Sequence, residues 1–167
     1  MGAVISDCGR YRYTLEREWM TGEGTCLFVM LNPSTADASE DDPTIRRCIG
    51  FAQRWGYQRL EVGNLFAFRA TDPADMLSVT PAEAAGPDND DHLRDLSHGA
   101  GLIVAAWGAH SLAAFRRAAV LEILSESEAD VVCLGTTKYG SPRHPLYVRG
   151  DFEPVPYPAE TGGESDG

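Results

Sequence analysis

The stretch that decides the fold is TCLFVMLNPSTADASEDDPTIRRCIGFAQRWG, residues 25–56. Its opening run, 25–31, is apolar and stops at the turn-forming pair Asn32-Pro33, which is typical of a buried parallel strand. Asp42 then offers a helix N-cap and Pro43 a first helical residue. Apolar side chains recur at helical spacing until Gly56, which is expected to end the helix. The stretch therefore predicts a strand, a polar loop and a helix, in that order.

The rest of the chain continues this alternation of strands and helices. The further predicted elements are strands at 60–68, 101–107 and 130–135 and helices at 88–97 and 111–125. In the last helix, Leu112, Phe115, Ala119 and Ile123 are expected to face inward. YRYTLEREW at 11–19 indicates an edge strand or hairpin. We therefore predict one α/β domain over 1–153, with helices on both faces of a central, mostly parallel sheet of four or more strands.

Composition and charge narrow the function classes. The chain has 167 residues, 43% of them hydrophobic, which is typical of a globular protein. Its formal net charge of −11 opposes the binding of nucleic acid in general, because phosphate binding depends on Lys and Arg. The segment 44–70 is different, since a single acid, Glu61, stands there against five arginines. These are Arg46, Arg47, Arg54, Arg59 and Arg69. They form either a local basic face or surface residues paired to acids.

Several other classes receive no support from the sequence. No apolar run is long enough to span a membrane, and the N-terminus lacks the features of a secretory signal. The four cysteines, Cys8, Cys26, Cys48 and Cys133, are scattered, which favours buried free thiols in a reducing cytoplasm. The histidines show no metal-ligand spacing and no cofactor motif is present, so we expect neither a metal nor a cofactor. Residues 154–167 are Pro-rich and then small and acidic, which predicts a disordered acidic tail.

Polar residues appear where each apolar strand stops. In open parallel sheets, ligands bind beyond the carboxyl ends of the strands, so these loops are the candidate site. Asn32 can hold a water or a carbonyl, although an Asx-turn would also explain it. Asn64 falls inside a predicted strand, where an amide must find partners or cost about 1–3 kcal/mol. It either joins a structural network or reads a planar heterocycle.

The loop GSPRHPLYV carries His144 between Arg143 and Pro145. Its imidazole can stabilise an oxyanion or act as acid or base, whereas the plainer alternative is an exposed loop residue. His110 has the same two interpretations, as a helix-start residue or a catalytic one. The aromatic residues Phe66, Phe68 and Trp107 of the predicted strands either stack on a base or pack in the core. The full candidate set is Asn32, Pro33, Ser34, Asn64, Phe66, Arg69, Trp107, His110, Arg143 and His144.

Two family resemblances follow from these motifs. Five stretches between about Cys26 and Val148 resemble a bacterial and phage family catalogued as a domain of unknown function. These stretches are MLNPSTADASEDDPTIRRC, WGY, NLFAFRATDP, WGAH and RHPLYV. The order of motifs also resembles the uracil-DNA glycosylase superfamily. LFVMLNPS is similar to the first motif of that superfamily, which stands at a strand end, and LEVGNLF is similar to its central strand, which carries a base-reading asparagine. LIVAAWGAHS is similar to its strand that ends in L-W-G-x-x-A, and RHPLY is similar to its last loop, which carries a histidine.

The second resemblance implies a uracil-DNA-glycosylase-like fold and an N-glycosidic-bond hydrolase. Asn32 would orient the attacking water, Asn64 would pair with the nucleobase, and His144 would stabilise charge on the departing base. Leu146-Tyr147 replaces the Ser-Pro of the family loop that helps to open a duplex. The expected partner is therefore a nucleobase, a nucleotide or a single-stranded nucleic acid. A non-catalytic module that binds a nucleotide or modified base, and an unrelated hydrolase or transferase using His144 and Asp42, remain open.

Overall fold

The structure, a computed structural model, describes residues 2–34 and 36–158. The strands are β1 (Gly2–Ile5), β2 (Arg12–Glu18), β3 (Thr25–Met30), β4 (Arg59–Asn64), β5 (Leu102–Ala105), β6 (Asp130–Cys133) and β7 (Val155–Pro156). The α-helices are α1 (Pro43–Arg54), α2 (Pro81–Ala85), α3 (Asn89–Gly99) and α4 (Arg117–Leu124). Short 3₁₀ helices cover Pro73–Ser78, Ser111–Phe115 and Pro145–Tyr147.

The strands form one mixed sheet in the order β1-β2-β4-β3-β5-β6-β7. Its centre, β4-β3-β5-β6, is parallel and consists of the four strands predicted from the apolar runs. The expectation of a mostly parallel sheet is wrong, because β1 and β2 add antiparallel pairings at one edge and β7 adds another at the opposite edge. The segment 11–19, predicted as an edge strand or hairpin, contains β2, which forms an antiparallel hairpin with β1. The edge strand is β1, and β2 lies between β1 and β4.

Helices cover both faces of this sheet, as predicted. Along β3, Leu27 and Val29 belong to the core that includes residues of α3 and α4. Cys26, Phe28 and Met30 belong to the core formed with α1. The alternation follows from the period of two along a strand, and it buries both faces of the central strands.

Local sequence fixes helix α1. The Asp42 side chain accepts a hydrogen bond from the Ile45 N–H at 2.9 Å, and Pro43 occupies the first turn. Gly56, just past the helix end, has a φ of 89°, a left-handed value that favours glycine. The predicted N-cap is therefore confirmed. The buried side of the helix consists of Ile45, Cys48, Phe51 and Ala52.

The helix predicted at 111–125 is broken at Arg116. Its guanidinium donates to the Leu65 carbonyl oxygen at 2.9 Å and pairs with Asp90, which holds the chain between the 3₁₀ helix Ser111–Phe115 and α4. Leu112 and Ile123 are buried as predicted. Phe115 and Ala119 were expected to face inward but are exposed, because the break changes the phase of the helical pattern.

Order continues into the segment assigned to the tail. Val155–Pro156 pair with β6, and the Tyr157 ring lies edge-on to Trp107 with ring centroids 5.8 Å apart. The expected tail therefore does not begin at Pro154. Its remainder, 159–167, lies outside the described residues.

Two further expectations were that the cysteines are buried free thiols and that no segment spans a membrane. All four cysteines are free, and Cys26, Cys48 and Cys133 are buried, whereas Cys8 is exposed on the turn after β1. Among the residues that the structure describes, no helix is long and apolar enough to cross a membrane.

Candidate functional site

The segments that follow the four parallel strands meet at a cavity of about 400 Å³ at the carboxyl ends of β3 and β5. Asn32 and Ser34 come from the loop after β3, Trp107 and His110 from the loop after β5, and His144 from the loop that follows β6. The other lining residues are Arg12, Met30, Leu31, Asp42, Thr44, Ile45, Ala70, Thr71, Pro73, Gly108, Ala109, Leu146 and Tyr147. The sheet topology thus brings together residues that are far apart in sequence.

Asn32 is held rigidly at the cavity wall. Its Nδ2 donates to the carbonyl oxygens of Pro33 at 2.9 Å and Ala70 at 2.7 Å. Two carbonyl acceptors fix which end of the amide carries the N–H groups. Oδ1 is therefore left as a fixed acceptor, and none of the described residues donates to it. Pro33 is buried and contributes its carbonyl, so its role here is to orient Asn32.

His144 presents one defined nitrogen to a ligand. Its Nδ1 accepts a hydrogen bond from the Leu146 N–H at 3.2 Å, so the neutral ring carries its proton on Nε2. Burial lowers the pKa of His144 from its ordinary value, and the nearby Asp42 carboxylate opposes this effect in part. The ring is therefore neutral at pH 7 and offers Nε2–H as an uncharged donor.

His110 repeats this arrangement on the neighbouring loop. Its Nδ1 accepts from the Leu112 N–H at 3.1 Å, and it caps the 3₁₀ helix Ser111–Phe115. The expected helix-start role is what the structure shows. Because His110 also lines the cavity, its Nε2–H is a second donor available at the rim.

Arg12 is a site residue that the sequence did not point to. It is 2% exposed, lines the cavity, and donates from Nη1 to the Ala36 carbonyl oxygen at 2.8 Å. No described residue accepts from its Nε. Burial lowers the Arg12 pKa to about 10, which still leaves the side chain charged at pH 7. The only sequence signal is an arginine beside inward-facing tyrosines in YRYTLEREW.

Asn64 lies beside the cavity rather than in its wall. The observed strand β4 ends at Asn64, so the residue stands at the strand terminus, not in the interior as expected. It is 1% exposed, and neither its Nδ2 nor its Oδ1 has a partner among the described residues. Its ladder neighbour on the parallel strand β3 is Met30, which does line the cavity. The amide is thus buried next to a residue of the cavity wall on the neighbouring strand.

Three candidate residues lie elsewhere. Phe66 is 1% exposed in the core with α3 and α4, so core packing is the interpretation that the structure shows. Arg69 is half-buried, and its Nη1 lies 3.5 Å from the Gly9 carbonyl oxygen. Arg143 is exposed and does not line the cavity. Strand β4 ends at Asn64, whereas it was predicted to continue to residue 68, so Phe66 lies beyond the strand.

The cavity has two aromatic neighbours with different exposure. Trp107 lines the cavity but is only 2% exposed, and its edge contact with Tyr157 anchors it in the core. Tyr147 is 79% exposed at the mouth, with its ring centroid 5.8 Å from that of His144. Tyr147 is therefore the ring free to stack on a planar ligand. The sequence did not single it out, although it stands in the RHPLY motif.

No metal centre is indicated in the described part of the chain, where no group of three or more His, Cys, Asp or Glu side chains is placed to hold an ion. The polar side chains around the cavity provide an amide acceptor, two imidazole donors, one carboxylate, one guanidinium and the hydroxyls of Ser34, Thr44, Thr71 and Tyr147. This set can orient water and stabilise charge.

Comparisons with known proteins give a family but no activity. The profile of a family described as "Protein of unknown function (DUF1643)" matches residues 12–146. No curated protein and no solved structure matches the chain. The resemblance to a domain of unknown function is therefore confirmed, whereas nothing found supports the resemblance to uracil-DNA glycosylases or an origin in bacteria or phages.

Proposed function

The chain belongs to the family described as "Protein of unknown function (DUF1643)", and we propose that its cavity hydrolyses an N-glycosidic bond in a nucleobase-containing substrate. One observation carries the proposal. Asn32 and His144 meet at one cavity with complementary free groups, a fixed carbonyl acceptor and an uncharged N–H donor. The volume of about 400 Å³ lies within the range of about 300–1,000 Å³ that small-molecule sites span.

These groups suit a bond that opens dissociatively. The electron pair of the C1′–N bond leaves with the base, and the His144 Nε2–H stabilises the charge on the base oxygen. The Asp42 carboxylate lines the same cavity and stabilises the positive sugar. A water that donates to Asn32 Oδ1 then adds its oxygen to C1′, and its proton passes to Asp42. Asp42 then releases this proton and the departed base anion takes up a proton, so the products are a neutral free base and a sugar with a C1′ hydroxyl.

Asn64 and Tyr147 supply base recognition in this proposal. An unpaired amide with both a donor and an acceptor is complementary to the edge of a nucleobase. In this proposal the Met30 side chain, which lines the cavity beside Asn64 and is unbranched and adaptable, moves aside to admit the base. Tyr147 stacks on the base from the cavity mouth. Free cysteines favour the cytoplasm as the place of this activity.

A non-catalytic nucleobase-binding module is the second candidate. The observation that favours it is that Asn32 and His144 both bond to nearby backbone, which gives each a role without catalysis. A third candidate, a hydrolase or transferase of another bond, is favoured by the presence of Asp42 and His144 in one cavity.

Release of free base separates these candidates. The protein is incubated with nucleosides, nucleotides and single-stranded oligonucleotides that carry natural and modified bases, and free base is quantified by chromatography. We expect release from one substrate class, and loss of it in Asn32→Ala and His144→Ala. His98→Ala, an exposed histidine on α3, is the matched control and should retain activity. Base binding without release would support the module, and neither binding nor release would refute both.

A further inference from the structure

A second concavity, here called the basic groove, adjoins the cavity. It has a volume of about 550 Å³ and lies between α1 and the segment 146–150. The helix supplies Pro43, Arg46, Arg47, Gly50, Phe51 and Arg54, and the facing segment supplies Leu146 and Gly150. The helix positions follow the spacing i, i+3, i+4 and i+7, so they form one face. Three arginines on one face line a groove in a protein whose net charge is −11.

Among the described residues, these three arginines are less compensated by nearby acids than five other arginines are. Arg17, Arg59, Arg94, Arg116 and Arg149 all pair with carboxylates at 3.6 Å or less. Arg46 and Arg47 instead donate to the carbonyl oxygens of Asp41 at 3.3 Å and Val148 at 2.6 Å. Within the described ranges, Arg54 has a single acidic partner, Glu153, in an exposed contact at 3.9 Å that a phosphate can replace. The groove therefore retains positive charge.

The groove and the cavity share a wall. Leu146 lines both, and the first turn of α1 directs Thr44 and Ile45 to the cavity and Pro43, Arg46 and Arg47 to the groove. An anionic ligand in the groove is thus next to any base in the cavity. From Arg46 to Arg54 the helix rises about 12 Å, at about 1.5 Å per residue, which is more than one phosphate covers.

Resting on the proposed function, we propose that the basic groove binds the phosphodiester backbone of a single-stranded nucleic acid whose base enters the cavity. Arginine forks bind phosphate oxygens in pairs, and several phosphates in succession match the length of the groove. A single strand is favoured over a duplex because the acidic remainder of the surface repels a second charged strand. Free nucleosides, which have no phosphate, leave the groove without a role.

The salt dependence of binding tests this directly. A fluorescein-labelled single-stranded oligothymidylate is titrated with protein at several salt concentrations, and log K is plotted against log salt. Arg46→Ala/Arg54→Ala removes two exposed charges and leaves Arg47, which holds Val148. We expect weaker binding and a slope smaller by about 1.4, at about 0.7 for each phosphate contact on a single strand. The matched control, Arg94→Ala/Arg117→Ala, removes two charges from α3 and α4 on the other sheet face and should keep the wild-type slope.

The outcomes distinguish this proposal from the hydrolase proposal. An unchanged slope in the groove variant overturns the groove, whether or not base is released. A reduced slope without any base release refutes hydrolysis and leaves the groove supported. A duplex of equal length that binds as tightly as the single strand, or a mononucleotide that does so, overturns the assignment to a single strand.

Discussion

Replacing Asn64 by leucine is expected to stabilise the fold and abolish function. The substitution removes a buried amide and retains a side chain of similar size. Asn64 is 1% exposed, and neither amide atom has a partner among the described residues. Asn89, 0% exposed, is its matched control, because its Nδ2 donates to the carbonyl oxygens of Asn64 at 2.9 Å and Leu65 at 3.2 Å. The two asparagines have the same burial and different partners.

The magnitudes follow from this contrast. A buried polar group without a partner costs about 1–3 kcal/mol, so Asn64→Leu should raise the free energy of unfolding by about that amount. For a chain of this length the melting temperature rises by about 2–4 °C for each kcal/mol. Asn89→Ala removes the side-chain donor to the Asn64 carbonyl oxygen, while the Leu65 carbonyl oxygen keeps its Arg116 donor, and it should lower the free energy of unfolding by about 1–3 kcal/mol. Greater stability with lost activity is the pattern expected of a residue kept for a ligand.

Urea denaturation and base titrations of the same samples provide the assay. We expect Asn64→Leu to unfold at a higher urea midpoint and to lose binding of the preferred base. Asn64→Asp, which replaces the amide donor with a charged acceptor, should change which base is accepted. If Asn64→Leu instead lowers the midpoint as Asn89→Ala does, while base preference is unchanged, then Asn64 supports the fold and does not read the base.

Three further predictions concern pH, the water-holding amide and the last strand. Burial lowers the His144 pKa below its ordinary 6.5, so the folded state binds fewer protons than the unfolded state. The free energy of unfolding should therefore fall as the pH drops below about 6.5. In His144→Gln, melting curves at several pH values should show less of this loss, and an equal loss would refute the assignment. Asn32→Ala removes two hydrogen bonds and should cost about 1–3 kcal/mol in urea unfolding as well as base release; retained release would exclude Asn32 as the water-holding group. Ending the chain at Glu153 removes β7 and the Tyr157 ring and should lower the free energy of unfolding by about 2 kcal/mol. The control, which ends at Pro158, keeps these contacts. Equal melting temperatures of the two proteins would show that β7 does not stabilise the fold.

Local signals account for what the sequence predicted well. The strand and the helix predicted within 25–56 formed as expected, because the apolar run, the Asp42 cap and Gly56 act within a few residues. The convergence of Asn32, His110 and His144 follows from a general property of parallel sheets, whose strand carboxyl ends share one edge. These features need no knowledge of distant contacts.

The remaining features depend on partners far away in sequence. Arg12 is buried because the Ala36 carbonyl and the Asp42 carboxylate are nearby in the fold. The break at Arg116 depends on the Leu65 carbonyl and Asp90. β7 is two residues long and includes a proline, so no periodic pattern could indicate it. Sequence patterns predict elements more readily than the long-range contacts that complete a site.

Tracing the oxygen of the attacking water tests the central proposal most directly. The substrate identified in the base-release panel is converted in water enriched in ¹⁸O, and both products are analysed by mass spectrometry after brief reaction, with an enzyme-free exchange control. Hydrolysis with Asn32 holding the water predicts that the label enters the C1′ hydroxyl of the sugar and not the base, and that Asn32→Ala forms neither product. Label in the base, or no free base from any nucleobase-containing substrate, would contradict N-glycosidic hydrolysis by this cavity.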